Sequence, residues 1–166
     1  MEITILIFLF GGLFLGWSLG ANDAANVFGT AVGTRMVSFT SAAIVCSIFV
    51  ILGAIISGAG TTETLGKLGA INALPGAFAA CVAAGVSVYL MTKVGLPVST
   101  TQAIVGAIVG WNLYTGSSTN IQVLMTILAT WIICPIIAGI IAMGLFTFTK
   151  RVILNRKLHI LRLDAY

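Results

Sequence analysis

Three polar side chains at the end of an otherwise apolar stretch constrain this chain most. Ile3 to Leu19 is apolar enough for a membrane, and it runs straight into Gly20-Ala21-Asn22-Asp23-Ala24-Ala25-Asn26. An ionised aspartate at the centre of a membrane helix costs about 2.5–3.5 kcal/mol. Such a group persists where it faces a water-filled cavity, an ion or a polar partner, so the run marks an ion or transport site. The same residues also read as a cap, with Asp23 opening a helix at Ala24 and Asn26 in its first turn. The two readings meet in a broken membrane helix whose N-terminus attracts anions.

Composition places the rest of the chain in the same solvent. Of 166 residues 59% are hydrophobic and 7% charged, against about 25% charged in soluble domains. A chain this poor in charge cannot cover a water-facing globule. The net charge of +4 comes largely from basic residues after Thr149, a juxtamembrane pattern suited to anionic lipid headgroups, and no nucleic-acid partner is expected. Met1-Glu2 lacks the basic start of a signal peptide, so Ile3 to Leu19 reads as part of the mature protein. Cys46, Cys81 and Cys134 lie in apolar stretches with neither metal-ligand nor disulfide spacing, and read as small buried hydrophobes. No buried His/Glu cluster, nucleophile–base pair or P-loop points to an enzyme, and no cofactor is expected.

Five apolar segments follow one another: Ile3–Leu19 continued by Ala24–Val32, then Phe39–Ile56, Ile71–Met91, Val98–Leu113 and Ile121–Phe148. About 20 apolar residues span a bilayer. The fifth is long enough to tilt or to kink at Pro135. The fourth is short, and is either a crossing or a re-entrant hairpin broken near Gly106 or Gly110. With five crossings and the N-terminus outside, Arg35, Lys93, Lys150, Arg151, Arg156, Lys157 and Arg162 all fall inside and only Lys67 falls outside, as the positive-inside rule expects. The expected organisation is an all-α polytopic membrane protein of the cell membrane with about five transmembrane segments, broken or re-entrant helices among them. Residues 1–149 form the transmembrane unit and 150–166 a basic cytoplasmic tail, which carries the only histidine, His159. Gly29/Gly33 and Gly106/Gly110 have the spacing that lets membrane helices approach closely. Trp17, Trp111, Tyr114 and Tyr166 suit interfacial anchoring, with core packing an equal reading for Trp17.

A second polar stretch is Gly95-Leu96-Pro97-Val98-Ser99-Thr100-Thr101-Gln102. It has the form of a helix start, with proline near the beginning and hydroxyls in the first turn. Backbone N–H groups there lack intrahelical acceptors, and the hydroxyls and Gln102 add neutral donors suited to a tetrahedral oxyanion. The same residues also suit a helix capped by its own Ser and Thr.

Taken together, Gly20 to Thr30 and Gly95 to Gln102 resemble the inorganic phosphate transporter family of sodium- or proton-coupled permeases. That family carries Gly-Ala-Asn-Asp-Val-Ala-Asn in one segment and a Pro-Val-Ser-Thr-Thr-His stretch later in the same half. Trp131 to Gly139, with Cys134-Pro135, resembles the family's Ser-Trp…Ser-Pro helix. Gln102 stands where the family usually has histidine; an amide donates to phosphate but does not titrate near neutrality. Ala24 and Cys134 replace the commoner valine and serine.

The resemblance implies the N-terminal half of an inverted-repeat transporter. Its partner is an inverted second half, supplied by a separate chain or a second copy, unless the sequence is a truncated or split permease. Phosphate would be received by Ser99, Thr100, Thr101 and Gln102 with Asn22 and Asn26. The coupling cation, Na⁺ or H⁺, would be held at Asp23 with Asn22 and Asn26, because a carboxylate repels an anion. A sulfate or general oxyanion permease is the alternative, as is a membrane subunit that does not itself transport.

Overall fold

A computed structural model of the chain describes residues 2–69 and 74–151. The described residues form five helices and no strand: α1 (Glu2–Gly33), α2 (Phe39–Leu68), α3 (Leu74–Lys93), α4 (Thr100–Thr115) and α5 (Ile121–Thr149). The basic tail beyond Arg151, with His159 and Tyr166, lies outside the described residues. Four helices, all but α4, are long and apolar enough to cross a membrane. With its large hydrophobic side chains facing outward, the chain is a multi-pass membrane protein. The 16 residues of α4 reach about 24 Å, short of the roughly 30 Å hydrocarbon thickness.

Local chemistry sets the helix ends. Ser38 caps α2, its Oγ accepting the Ser41 N–H at 3.2 Å. Ser99 caps α4 in the same way, accepting from the Gln102 N–H at 3.3 Å. Gly116 ends α4 in the left-handed region (φ 69°), which favours glycine. Asn120 Oδ1 accepts from the N–H groups of Gln122 and Val123 and so starts α5.

Three expectations change. First, α1 is one unbroken helix through Asn22-Asp23, so no helix begins at Ala24. Asp23 accepts sideways, from the Asn22 amide and the Thr100 hydroxyl, rather than from N–H groups of a following turn, so the backbone ladder continues past it. Secondly, α4 runs unbroken from Thr100 to Thr115, through Gly106 and Gly110, so the fourth segment is not itself a hairpin broken at either glycine. Thirdly, a Cβ built at Gly29, Gly33, Gly106 or Gly110 meets nothing within 4 Å. The close approaches lie elsewhere: a Cβ at Gly85 would sit 2.7 Å from Phe14, one at Gly11 2.8 Å from Phe78, and one at Gly76 2.9 Å from Trp111. The motif spacing was present, but those glycines face away from the chain's own helices.

The chain divides into two compact units, with the boundary between Val123 and Leu124. In the first, α3 lies between α1 and α4. Phe8 meets Phe78, Trp17 meets Tyr89 and Asn22 meets Thr92, so α1 and α3 run parallel and in step. Gly76 faces Trp111, so α4 returns antiparallel to α3. Buried small and medium side chains, among them Ala80, Ala84, Val88, Val105 and Ile108, fill this layer. Trp17 contacts Phe14 and Tyr89 but stays 59% exposed, so it lies outside the core. The second unit is the remainder of α5, with Cys134 exposed; Cys46 and Cys81 are half-buried, and all three thiols are free.

Because α3 ends in step with Asn22, α1 continues about 16 Å beyond it, from Asp23 to Gly33. The turn between α3 and α4 therefore reaches only partway along α1.

Candidate functional site

The turn carries the second polar stretch to the first. The α3 C-terminus closes with Leu96 N–H donating to Met91 O at 2.9 Å and Gly95 N–H to Thr92 O at 3.0 Å. Gly95 takes φ 75°, which a side chain would strain. Pro97 then holds the preceding residue extended, and Val98 runs beside α1 before Ser99 caps α4. Pro97 thus lies two residues ahead of the cap rather than in the first helical turn.

Asn22 is the clasp. Its Nδ2 donates to Val98 O at 2.6 Å and to Asp23 Oδ1 at 2.9 Å. Its Oδ1 accepts from Val98 N–H at 3.4 Å and lies 3.4 Å from Thr92 Oγ1, whose single proton is directed to Val88 O. The side chain is 3% exposed, with both amide hydrogens donated and its oxygen accepting from the Val98 N–H. Thr100, 5% exposed, donates its hydroxyl to Asp23 Oδ1 at 3.3 Å. Both bonds to Asp23 converge on Oδ1; none among the described residues reaches Oδ2.

The structure therefore brings Asn22, Asp23 and Thr100 into one cluster, with Ser99 beside it as the α4 cap. Asn26, Thr101 and Gln102 are exposed on α1 and α4, without a described side-chain partner. Thr92 joins the cluster unannounced. A threonine in the last turn of a helix, bonding back to Val88 O at 2.8 Å, has no sequence signal that separates it from any helical threonine.

The arrangement offers two kinds of chemistry side by side. Asp23 and the hydroxyl oxygens of Thr92 and Thr100 are hard donors of the type small cations prefer. No cluster of three or more His, Cys, Asp or Glu occurs among the described residues, so the site suits an exchangeable cation better than a resident transition metal. Next to it, the first turn of α4 presents the Thr100 and Thr101 N–H groups without intrahelical acceptors and the positive end of the helix dipole. This is an anion-facing surface.

Sequence and fold both have counterparts among known proteins. The phosphate transporter family matches residues 19–164. A candidate phosphate permease of Thermococcus kodakarensis is 35% identical over 167 residues, covering 95% of this chain and 41% of the relative. A sodium-dependent phosphate transporter of Plasmodium falciparum is 34% identical over 156 residues, covering 87% of this chain and 23% of the relative. A solved structure described as the sodium-dependent phosphate transporter superposes with a TM-score of 0.80 at 28% identity, covering 95% of this chain and 41% of that one. The chain spans about two fifths of the length of the prokaryotic relatives it matches.

Proposed function

The chain belongs to the phosphate transporter family, and we propose that it forms one half of a cation-coupled inorganic phosphate permease. The observation that carries this reading is the contact between Asp23 on α1 and Thr100 at the start of α4. It sets a cation-holding carboxylate beside an anion-attracting helix end, the juxtaposition that symport of a cation with an anion requires.

In this reading Asp23 holds Na⁺, with Thr100 Oγ1 as a further oxygen. The sodium-dependent relative favours Na⁺ over H⁺, as does the replacement of a titratable histidine by Gln102. Phosphate is received at the open side of the α4 N-terminus, by Ser99, Thr101, Gln102 and Asn26. Asn22 positions the turn. Exposed carboxamides at membrane depth need polar company, and an inverted second half supplies it, within a longer polypeptide or on a separate chain.

The α3–α4 pair reads as a re-entrant hairpin because α4 is too short to cross and α3, though long enough, ends level with Asn22 partway along α1. The apolar run of α2, Phe39 to Ile56, starts beside the end of α1, and counting back at equal rise sets its middle level with Asn22 to Asn26. The exposed Glu63–Lys67 pair (2.5 Å) marks the far end of α2 as interfacial. The α3–α4 turn then lies near the bilayer midplane. A hairpin that enters and leaves by one face does not alter the sides of the flanking helices, so an N-terminus outside and a cytoplasmic C-terminus follow with three full crossings as with five.

The test is uptake of labelled phosphate by the assembled transporter in proteoliposomes. An inward Na⁺ gradient should drive accumulation that a K⁺ gradient does not. Uptake indifferent to every imposed cation gradient overturns the reading.

A further inference from the structure

Asn112 is wholly buried and lies twelve residues along α4 from Thr100, about 18 Å by helix rise. Its Nδ2 donates to Thr119 Oγ1 at 3.0 Å, while its Oδ1 is buried without a partner among the described residues. Leu68, also fully buried, accepts the Asn120 N–H on its carbonyl at 2.9 Å. Gly69 is extended (φ −164°), a conformation any residue adopts. A Cβ there would nonetheless overlap the Asn112 amide. Contact, not backbone strain, keeps position 69 without a side chain. The end of α2, the end of α4 and the loop leading to α5 thus meet on one carboxamide.

A buried asparagine pins α4 at each end. Asn22 grips Val98 at the turn, and Asn112 is pressed between Gly69 and Thr119 at the base. Between them α4 is short and capped at both ends by Ser99 and Gly116, so a tilt at the base displaces the turn. We propose that Asn112 is a positioning residue for the site: its latch sets where the α3–α4 turn rests against Asn22 and Asp23, although it touches neither. Asn22 has both ends of its carboxamide bonded. The buried, unspent Oδ1 leaves the Asn112 latch one bond short, the kind of unmet group that calls for an explanation in a native fold.

This inference rests on the site geometry and can be read without transport, by hydrogen exchange of the chain in lipid nanodiscs. Asn112→Ala should speed exchange of the Val98 amide by about fivefold, the worth of one net hydrogen bond, with amides around Phe14 unchanged. Gly69→Ala should act in the same direction, since its methyl displaces the amide. The double variant should exchange no faster at Val98 than Asn112→Ala alone, because the methyl occupies the space vacated. Thr119→Val removes only the acceptor and should give a smaller change of the same sign, which tests the idea even where Asn112→Ala fails to insert. Faster exchange confined to residues 112–120 overturns the proposal, as do single effects that add in the double variant. In uptake, a displaced turn raises the apparent KM for phosphate and cation by the same factor at constant Vmax per inserted transporter; a fall in Vmax alone overturns the positioning role. An absence of phosphate uptake in the wild type would count against the transport reading and leave the exchange result standing.

Discussion

The carboxamide of Asn22 pairs with the backbone of Val98 at both of its ends, accepting from the N–H at 3.4 Å and donating to the carbonyl at 2.6 Å. The residues are 76 apart in sequence, and the pairing resembles one rung of a sheet built by a side chain. It satisfies two peptide groups in a turn that belongs to neither helix.

Asn22→Ala should therefore do more than remove a ligand. It leaves the part-buried Val98 N–H and C=O without their partner, at up to about 1–3 kcal/mol for each. The transition in a denaturant or thermal titration of the inserted protein should fall accordingly. An unchanged transition would mean that water or lipid headgroups reach the turn.

Asp23→Asn keeps the size and removes the charge. The Thr100 hydroxyl can still donate to the amide oxygen, so packing should survive. Na⁺-dependent phosphate uptake should drop to background while insertion and the α1–α3 contacts are retained. Normal coupled uptake by a well-expressed variant would exclude Asp23 as the cation ligand.

Phosphate should be preferred over sulfate. Monoprotonated phosphate carries an O–H that needs an acceptor, which the carbonyl of Gln102 or Asn26 can provide. Sulfate lacks it near neutral pH and leaves that acceptor unpaired, a loss of about 1–3 kcal/mol once the second half has closed over the site and dried it. In competition for labelled phosphate uptake, arsenate should be effective and sulfate should need about tenfold more. Equal potency would point to a general oxyanion permease.

Met36, 81% exposed in the α1–α2 turn, and Ser117, in the loop after α4, belong to opposite faces in the proposed orientation. In a background lacking Cys46, Cys81 and Cys134, impermeant thiol reagent should reach Ser117→Cys in intact cells and Met36→Cys only after permeabilisation. The reverse pattern would invert the topology.

Gly85→Ala should destabilise the inserted protein by about 1–3 kcal/mol, because its methyl would lie 2.7 Å from the Phe14 ring. Gly106→Ala should leave the transition of the isolated chain unchanged. Equal effects at the two positions, read in the same unfolding titration, would contradict the α1–α3 packing.

How much of this could be read from residues alone varies from element to element. Hydropathy located all five helices, because runs such as Phe39 to Ile56 have no other stable home, but it ended the second at Ile56 where the structure carries it to Leu68. Asp23 and Thr100 declared themselves as polar groups in the wrong solvent. The fate of Asn22 did not: a carboxamide that clasps a backbone 76 positions away has the same letters around it as one awaiting a ligand. The supposed helix start at Ala24 failed for a related reason. Asp and Asn favour caps, but Thr100 met the Asp23 carboxylate from another helix. Thr92 and Asn112 act only through partners that folding brings to them, so no local spacing reveals either.

The continuity of α1 has an electrical consequence. Asp23 sits on an unbroken rod of 32 residues, packed on α3 from Phe8 to Asn22, so its charge has little freedom to travel along the membrane normal unless the whole helix does. Each elementary charge carried through 100 mV is worth about 2.3 kcal/mol. In a carrier whose fixed charge stays put, the membrane potential does its work on the cargo alone. The steady current would then report the ion-to-phosphate ratio, and a voltage jump without substrate would move almost no charge.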